Sequence, residues 1–318
     1  MKEIISINAE QVYSQLSPAE CIGLMEQVFA DEESGACVQY LRTAIPMPNG
    51  NVMAAMPAYF HAGFFGMKIL SVYPRNSLDG YPSHQGQILV FDEAHGELKG
   101  LVDAMAVTGV RTGCCSAVAS RYLARPESSV LALIGCGHQA WSHLRALKEI
   151  FPLQRVRVFD AVWTRAKAFA EDAEAETDLP VEACASIEEA VKDADIICTL
   201  TAAKEPILKK EWVRPGAHIN AVGACARDAR EIDGALTAAV RFYCDNTDSV
   251  CHESGDYLLA LQEGSIAEGH IIGTIGEVMA GKVPGRTSPE EITMFESLGM
   301  AVEDLICADY LIGKAGKK

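Results

Sequence analysis

Three basic side chains lie among apolar or small residues, where a charged side chain is unusual. Lys68 interrupts an otherwise apolar run, Arg42 has small and apolar neighbours, and Arg111 lies between Val110 and Thr112. Each could be a surface cation whose aliphatic stem lies along apolar area. That alternative is weakest for Lys68, because burial of a lysine is costly unless the charge is used.

Lysine and arginine in one site predict a particular class of substrate. A lysine in a dry site has a lowered pKa, so it can give a proton to an imine or a carbanion-like centre near neutral pH. An arginine offers a planar fork that binds a carboxylate with two hydrogen bonds. Arg42, Lys68 and Arg111 are therefore candidate catalytic and substrate-binding residues for a small carboxylate that carries an amine, imine or keto group.

Two further residues are weaker candidates for the substrate site. His84, within Pro82–Gly86, is a candidate polar contact, although a loop histidine without a function is an equal alternative. Met53 is expected to shape the substrate pocket together with Met56 and Tyr59, but the sequence does not fix their orientation. The other histidines have no recognisable ligand spacing, so no metal site is predicted.

The segment Gly135–Ala140 follows an apolar, β-branched strand, Ser129–Ile134, and opens a helix. In this G-x-G-x-x-A pattern Gly135 permits a tight turn, Gly137 lets the backbone approach a pyrophosphate, and Ala140 allows close packing of helix on strand. The helix N-terminus then faces the phosphates with unpaired N–H groups. A glycine turn without a ligand is the alternative, but the strand–turn–helix context favours a dinucleotide site.

The next strand, Arg155–Phe159, ends in Asp160, at the offset expected of a ribose-binding acid. Asp160 should accept hydrogen bonds from the ribose hydroxyls and repel a 2′-phosphate, which predicts NAD(H) as the preferred cofactor. Arg165 could tolerate that phosphate, so NADP(H) stays open as the alternative.

The elements that must position these residues fall into two regions. Strands and helices alternate after residue 124, which predicts a doubly wound parallel sheet of the Rossmann type. Short apolar runs separated by turn residues, from Tyr40 to Asp92, predict an antiparallel sheet. Ala104–Ala124 and the tail Pro289–Leu311 are predicted to be helical, and the tail is expected to pack on the N-terminal half. The fold class is therefore α/β, and we expect the substrate to meet the nicotinamide in a cleft between two domains.

Composition excludes some partners and sets the expected compartment. The formal net charge of −16 argues against a nucleic-acid backbone or an anionic membrane surface as partner. The start of the chain lacks the apolar core of a signal peptide, and no apolar stretch approaches a membrane span. The eleven cysteines include no C-x-x-C pair, and most lie in apolar runs, so we expect a reduced cytoplasmic protein.

These motifs together resemble the ornithine cyclodeaminase/μ-crystallin family across nearly the whole chain. The segments that carry the resemblance are Gly66-Met67-Lys68, Val110–Ser116, Gly135–Ala140, Asn220–Gly223, Arg230–Asp233, Gly281–Arg286 and Phe295–Leu305. An ordered set of this kind is far more specific than a glycine turn alone.

The resemblance implies a homodimer whose subunits have two domains. Residues 1–116 and 300–318 would form an α+β dimerisation and substrate domain, and residues 117–299 the dinucleotide-binding Rossmann domain. By position, Arg42, Lys68 and Arg111 look like the family's carboxylate-binding and proton-handling residues. The family's cofactor contacts would fall on Arg111, Thr112, Gly135, Gly137, His138, Gln139, Asp160, Arg165, Thr201, Val222, Gly223 and Ser297.

The chain departs from the family pattern at one position. Ornithine cyclodeaminases are expected to carry an aspartate, serving as general base, where this sequence has Cys225. A thiol near its ordinary pKa cannot replace a carboxylate as base at neutral pH. Asp228 is near in sequence but is expected to point elsewhere. The departure puts cyclodeamination in doubt.

The preferred hypothesis is an NAD(P)H-dependent reductase of a small cyclic imine carboxylate, such as Δ1-pyrroline-2-carboxylate or its six-membered analogue. The product would be an L-proline-type amino acid, and the reverse reaction would oxidise that amino acid. Two alternatives stay open: an ornithine cyclodeaminase that recycles NAD+, and a crystallin-like protein that binds NAD(P)H without turnover. Ring size, physiological direction and the role of Cys225 are not fixed by the residues.

Overall fold

The computed structural model describes residues 4–316. The chain divides into two compact units, the first formed by Met1–Thr112 with Gly299–Lys318 and the second by Gly113–Leu298. The predicted domain boundaries, after residue 116 and at residue 300, fall close to these divisions. The roles given to the two domains stay predictions.

The first unit combines a mixed sheet with helices at both ends of the chain. Its elements are β1 (Ile5–Ile7), α1 (Ala9–Gln15), α2 (Pro18–Ser34), β2 (Cys37–Gln39), β3 (Thr43–Pro46), β4 (Val52–Phe60), β5 (Phe64–Val72), β6 (His84–Asp92), β7 (Leu98–Asp103), the start of α3 (Ala104–Leu123) and the last helix, α11 (Ala301–Ala315). Helix α2 begins with a capping box: Ser17 Oγ accepts from Glu20 N (3.3 Å), and Glu20 Oε2 accepts from Ser17 N (3.0 Å). Pro18 occupies the first turn, where its missing N–H costs no hydrogen bond.

The sheet of the first unit has the order β1-β7-β6-β5-β4-β2, with β3 also paired to β4. All its pairs are antiparallel except β1 with β7. Met56 lies opposite Lys68 in the register of β4 and β5, and both are buried. Helix α11 packs across β4 to β7, as predicted for the tail. A Cβ at Gly66 would lie 2.7 Å from Leu305 Cδ1, so glycine is needed where this helix crosses β5.

The second unit alternates strands and helices around a parallel sheet. Its elements are β8 (Val130–Ile134), α4 (His138–Ile150), β9 (Arg155–Phe159), α5 (Trp163–Thr177), β10 (Val181–Ala183), α6 (Ile187–Val191), β11 (Ile196–Thr199), β12 (His218–Ala221), α7 (Gly234–Ala239), β13 (Arg241–Cys244), α8 (Thr247–Glu253), α9 (Gly255–Gln262), β14 (Ile271–Thr274), α10 (Ile275–Met279) and β15 (Thr293–Glu296).

The strand order is β10-β9-β8-β11-β12-β15-β13-β14, and every pair is parallel. From β8 the chain builds outward through β9 and β10, then returns to add β11 on the other side. The order therefore reverses between β8 and β11, and such a switch point leaves a crevice at the carboxyl ends of the strands. The predicted doubly wound α/β fold is confirmed.

The prediction of an entirely helical tail over Pro289–Leu311 is wrong in its first half. Residues Thr293–Glu296 form β15, which lies between β12 and β13, and all four are buried. A short run of buried residues has no periodicity that separates strand from helix, so only the partners on both sides decide. Helix α11 begins after Gly299, whose φ is +81°.

Candidate functional site

The first unit gathers two buried cations and two buried carboxylates. Lys68 on β5 is 5% exposed and Arg111 on α3 is 4% exposed, whereas Glu303 and Asp304 at the start of α11 are fully buried. Arg111 Nη1 donates to Glu303 Oε2 (2.8 Å), and Arg111 Nε donates to Asp304 Oδ1 (3.2 Å). Lys68 Nζ donates to Asp304 Oδ2. Buried charges survive only when they are paired in this way.

The guanidinium of Arg111 is seated by the backbone as well as by the acids. A Cβ at Gly299 would lie 2.8 Å from Nη2 and 3.0 Å from Nη1 of Arg111. Gly299 also has φ +81°, which disfavours any other residue. The turn before α11 therefore makes room for Arg111 while the helix supplies its carboxylate partners.

The surroundings of Lys68 and Asp304 shift the pKa of both side chains. Burial lowers the pKa of Lys68, the nearby Arg111 and Arg42 lower it further, and Asp304 opposes them. Burial alone would raise the pKa of Asp304, but the charges and hydrogen bonds of Arg111 and Lys68 hold it below its ordinary value. Asp304 is therefore an anion at neutral pH, and Lys68 gives up its proton more readily than a solvated lysine.

Arg42 lies close enough to Lys68 to depress the pKa of that lysine. It is half-buried and precedes β3, which begins at Thr43. Arg42 thus adds a third basic side chain near Lys68 and Arg111. Basic side chains grouped in this way favour an anionic ligand.

His84 and Met53 do not join this cluster. His84 is exposed at the first position of β6 and lies opposite Val72, near the end of β5 and away from Lys68. Its Nδ1 is 3.0 Å from Ser83 Oγ. Met53 alternates with Met56 along β4, so it projects from the sheet face opposite that of Lys68 and is 39% exposed.

The second unit has a cavity of about 380 Å³ at the switch point of its sheet. The cavity is bordered by segments that follow parallel strands, and the predicted residues in its lining are Gly135, Gly137, Asp160, Arg165 and Thr201. Apolar side chains, among them Ile187 and Ile207, line the rest. The structure thus brings together five residues that the sequence assigns to one cofactor.

The glycine turn has the geometry that a pyrophosphate needs. Gly135 has φ +101°, and a Cβ there would lie 2.9 Å from Leu200 O, so no side chain fits. Gly137 is the N-cap of α4, and a Cβ built on it would meet nothing within 4 Å. The helix N-terminus is therefore open on the side where the backbone must approach an anion. These residues fit the diphosphate of a dinucleotide.

Asp160 is tied to the turn on one side and to α5 on the other. Its Oδ2 accepts from Cys136 N (3.0 Å), and its Oδ1 accepts from Val162 N (2.8 Å). Arg165 Nη1 lies 3.5 Å from Oδ2, and the Arg165 side chain is 58% exposed. The carboxylate therefore holds the glycine turn in place besides facing the cavity.

The remaining predicted cofactor residues lie at several places. Val222 and Gly223 follow β12, and Ser297 follows β15, so these three stand at the carboxyl edge of the sheet. Ser297 is 2% exposed, and its Oγ has no hydrogen-bond partner within residues 4–316, as suits an atom that meets a polar ligand. His138 and Gln139 open α4, and Thr112 lies within α3, where its hydroxyl donates to Thr108 O.

Cys225 and Asp228 lie in the loop after β12, and both are exposed. The Cys225 thiol donates to Val222 O at 3.5 Å. Neither side chain is buried as a general base in a dry site would be.

A family model described as the ornithine cyclodeaminase/mu-crystallin family matches residues 2–318. The chain belongs to this family. Ketimine reductase mu-crystallin of Rattus norvegicus is 39% identical over 282 residues, which cover 88% of this chain and 86% of the relative. Predicted membership is thereby confirmed.

Two solved structures resemble the chain along its length. Δ1-pyrroline-2-carboxylate reductase of Thermococcus litoralis, in complex with NADH and L-proline, has a TM-score of 0.95 and 34% identity, covering 99% of this chain and 98% of its own. An archaeal alanine dehydrogenase dimer with bound NAD has a TM-score of 0.94 and 31% identity, covering 99% and 97%.

Sequence reasoning assigned no role to Glu303 and Asp304, although both fall within a segment that carries the family resemblance. The available signal was two adjacent acids inside an apolar helix, Ala301–Ala308. Buried acids need cationic partners, and Lys68 and Arg111 were already suspected of burial. The pairing of these two acids with Lys68 and Arg111 could therefore have been predicted.

The described part of the chain lacks a membrane-spanning helix and a cluster of metal ligands. In residues 4–316 no helix combines the length and the apolar character that a bilayer crossing demands. The same residues contain no group of three or more His, Cys, Asp or Glu side chains placed to hold a metal ion.

Proposed function

We propose that this protein is an NADH-dependent reductase of small cyclic imine carboxylates, giving an L-proline-type amino acid. The observation that carries the proposal is the buried Lys68–Asp304–Arg111–Glu303 cluster, which holds an ammonium and a guanidinium in one dry site. Relatives named ketimine reductase and Δ1-pyrroline-2-carboxylate reductase act on substrates of this class.

The cavity of the second unit is proposed to bind NAD(H). Gly135 and Gly137 would receive the diphosphate, Asp160 the ribose hydroxyls, and Thr201, Val222 and Ser297 the nicotinamide side. Bound NADH supplies a hydride. The archaeal and Thermococcus litoralis structures, which contain NAD and NADH, support this assignment. Arg165 keeps NADP(H) as the alternative, because its exposed guanidinium could bind a 2′-phosphate.

The first unit is proposed to bind the substrate carboxylate and to supply the proton. Arg42 and Arg111 provide the positive charge that offsets the carboxylate. Lys68 donates its proton to the imine nitrogen as the carbon accepts the hydride, so the C=N bond becomes an amine. The lowered pKa of Lys68 favours this transfer at neutral pH, and Asp304 orients the ammonium and keeps it charged beforehand.

A matched pair of lysine variants tests the proton donor. Lys68→Ala should lower turnover at least about a hundredfold, as loss of a positioned acid does, while leaving the Kd for NADH unchanged. Lys99→Ala is the control, because Lys99 also pairs with an α11 carboxylate, Asp309, but is 33% exposed. Equal loss of turnover and NADH affinity in Lys68→Ala would refute the role.

A substrate screen tests the reaction itself. NADH oxidation should occur with five- or six-membered cyclic imine carboxylates, and L-proline or its six-membered analogue should reduce NAD+ in the reverse direction. Ammonia and proline formed from ornithine without net NADH would instead identify a cyclodeaminase. Tight NADH binding with no turnover of any substrate would identify a protein that only binds the nucleotide.

We further infer that the protein forms a homodimer through the sheet face of the first unit that is turned away from α11. A cavity of about 360 Å³ on this face is lined largely by apolar and aromatic side chains, among them Tyr40, Tyr59 and Phe65. Tyr40 is 73% exposed, and Phe65 stacks on Phe91 with centroids 5.2 Å apart. Apolar surface of this kind marks an interface, and the similar archaeal structure is a dimer.

The dimer is tested by light scattering of the wild type and of Phe65→Glu. The wild type should have twice the mass of the chain, and the variant should dissociate because it buries an unpaired charge in the interface. A monomeric wild type, or a variant that stays dimeric, would contradict this interface.

A reducing compartment such as the cytoplasm fits the thiols. The sulfurs of Cys21 and Cys307 lie 3.9 Å apart and are not joined in a disulfide. Unbonded neighbours at this distance are expected where thiols are kept reduced. Thiol titration of protein purified from cells under alkylating conditions would test the location, and an oxidised pair would contradict it.

A further inference from the structure

Glu231 is a fully buried carboxylate that joins two loops of the second unit. Its Oε1 accepts from Thr201 N (2.7 Å) and from Thr201 Oγ1 (2.6 Å). Its Oε2 accepts from Gly223 N (2.9 Å). Thr201 follows β11 and lines the cavity, and Gly223 follows β12, so one side chain connects the segments after two adjacent strands.

The two loops and the carboxylate fit together without spare room. A Cβ at Gly223 would lie 2.2 Å from Thr201 O and 2.6 Å from Glu231 Oε2. Burial raises the pKa of Glu231, whereas the hydrogen bonds from Thr201 and Gly223 oppose this rise. A buried carboxylate whose two oxygens accept hydrogen bonds from two loops fixes the distance between those loops.

The backbone of Glu231 is itself held in place. Glu231 N and Ile232 N both donate to Asp256 Oδ1, at 2.9 and 2.7 Å. Glu231 O accepts from Ile207 N (2.8 Å) and Leu208 N (2.9 Å). Ile207 is another residue of the cavity lining. The carboxylate thus projects from a rigid base rather than from a mobile loop.

We propose that Glu231 is a positioning residue for the dinucleotide: it fixes the Thr201 and Gly223 loops and thereby the shape of the cavity on the nicotinamide side. This inference rests on the proposed function, in which the cavity binds NADH. Glu231 would not touch the reacting atoms, because its oxygens are directed to the loops. It acts through Thr201 and Gly223.

The variant Glu231→Gln affects the contacts of the two loops differently. Its single amide oxygen can keep the Thr201 contacts, but its NH2 group faces the N–H of Gly223, and two donors cannot bond. Gly223 N keeps its second acceptor, Thr199 O (3.1 Å), so hydrogen exchange at the Gly223 amide should speed up severalfold, while exchange at Thr201 changes little. The Kd for NADH, measured by fluorescence, should rise about tenfold.

Thr201→Val provides a second probe of the same contact. It removes the hydroxyl that donates to Oε1 but keeps the backbone N–H bond. Since both substitutions act on one carboxylate, the double variant should weaken NADH binding by less than the product of the two single effects. Multiplicative effects would overturn the proposed link, and this test holds even if Glu231→Gln is poorly stable.

Asp233→Ala is the matched control, because alanine removes the side-chain acceptor that an asparagine would keep. Asp233 stands two residues further on, and its Oδ1 accepts from Leu236 N (2.6 Å) at the start of α7. This variant should lower the Tm and leave both the Gly223 exchange rate and the Kd for NADH unchanged. If Glu231→Gln behaves in the same way, its role is structural only and the proposal is overturned.

The experiment distinguishes this inference from the proposed function. A wild type that binds NADH, with a Glu231→Gln Kd equal to that of the wild type, would overturn the role of Glu231 alone. A wild type that does not bind NADH would overturn the proposed function and the positioning role together, whatever the exchange rates of the two loop amides.

Discussion

Removal of one buried charge, by Asp304→Asn, should reveal how the cation cluster of the first unit is balanced. Asp304 accepts from Lys68, from Arg111 (3.2 Å) and from Thr108 Oγ1 (3.4 Å). The amide keeps the shape of the side chain but leaves Lys68 and Arg111 with one carboxylate, Glu303. Loss of one partner of a buried ion pair typically costs about 3–5 kcal/mol.

The size of this loss should depend on pH. Lys68 can relieve the excess charge by releasing its proton, because burial and the neighbouring arginines have already lowered its pKa. A lysine with a depressed pKa in the folded state binds fewer protons than in the unfolded state, so the folded state gains stability as pH rises toward about 10.5, the pKa of a free lysine. The deficit of Asp304→Asn should therefore be about 3 kcal/mol at neutral pH and smaller in alkaline buffer.

Urea unfolding at neutral and alkaline pH measures this deficit, and the pH profile of kcat/KM measures the proton. The alkaline limb of the profile should move to lower pH in Asp304→Asn, because Lys68 loses its proton sooner. Asp309→Asn is the control: Asp309 is on the same helix and pairs with Lys99, but it is 27% exposed, so its loss should cost less than about 1 kcal/mol. Equal destabilisation by the two variants, with an unmoved alkaline limb, would refute the reasoning.

Three further predictions concern the second unit. Gly137→Ala should raise the Kd for NADH at least about tenfold, a loss near 1.4 kcal/mol, and should leave the Tm unchanged because the added Cβ meets open space. Gly135→Ala should instead lower the Tm, because the φ of Gly135 is +101°. The reverse pattern, in calorimetry for the Tm and fluorescence titration for the Kd, would contradict the turn geometry. Asp160→Asn removes the charge that repels a 2′-phosphate, so the ratio of kcat/KM for NADPH to that for NADH should rise about tenfold; an unchanged ratio in steady-state assays would disprove this role. Burial raises the pKa of Asp256 to about 7, so the stabilisation from its bound proton is complete below about pH 4 and is lost as pH rises through about 7. Asp256→Asn mimics the protonated acid, so the free energy of unfolding measured in urea should depend less on pH in this variant. An unchanged pH dependence would contradict the raised pKa of Asp256.

The parts of the fold set by local pattern were predictable from the sequence. The glycine turn, the strand before it and Asp160 lie within one short region, and their order alone indicates a dinucleotide fold. Strand β15 was missed because its identity depends on β12 and β13, which are remote in the chain. Strand pairing of this kind is decided by tertiary contacts that a local window does not contain.

In the candidate site, too, local sequence indicated some residues, whereas others depend on tertiary contacts. Lys68 and Arg111 were suspected because a charge in an apolar segment is costly, and both are buried. Their partners, Glu303 and Asp304, come from the last helix, and only its packing on β5 brings them close. Met53 was misjudged for another reason: the face of a strand on which a side chain lies follows from register, which the sequence of one strand does not fix.

The most direct test of the proposed reaction is to follow the hydride. NADH carrying deuterium at the transferable position of C4, with a cyclic imine carboxylate as substrate, should give an amino acid with one deuterium on the carbon that bears the carboxylate, detected by mass spectrometry. A product without deuterium, or no product although NADH is bound, would contradict the account.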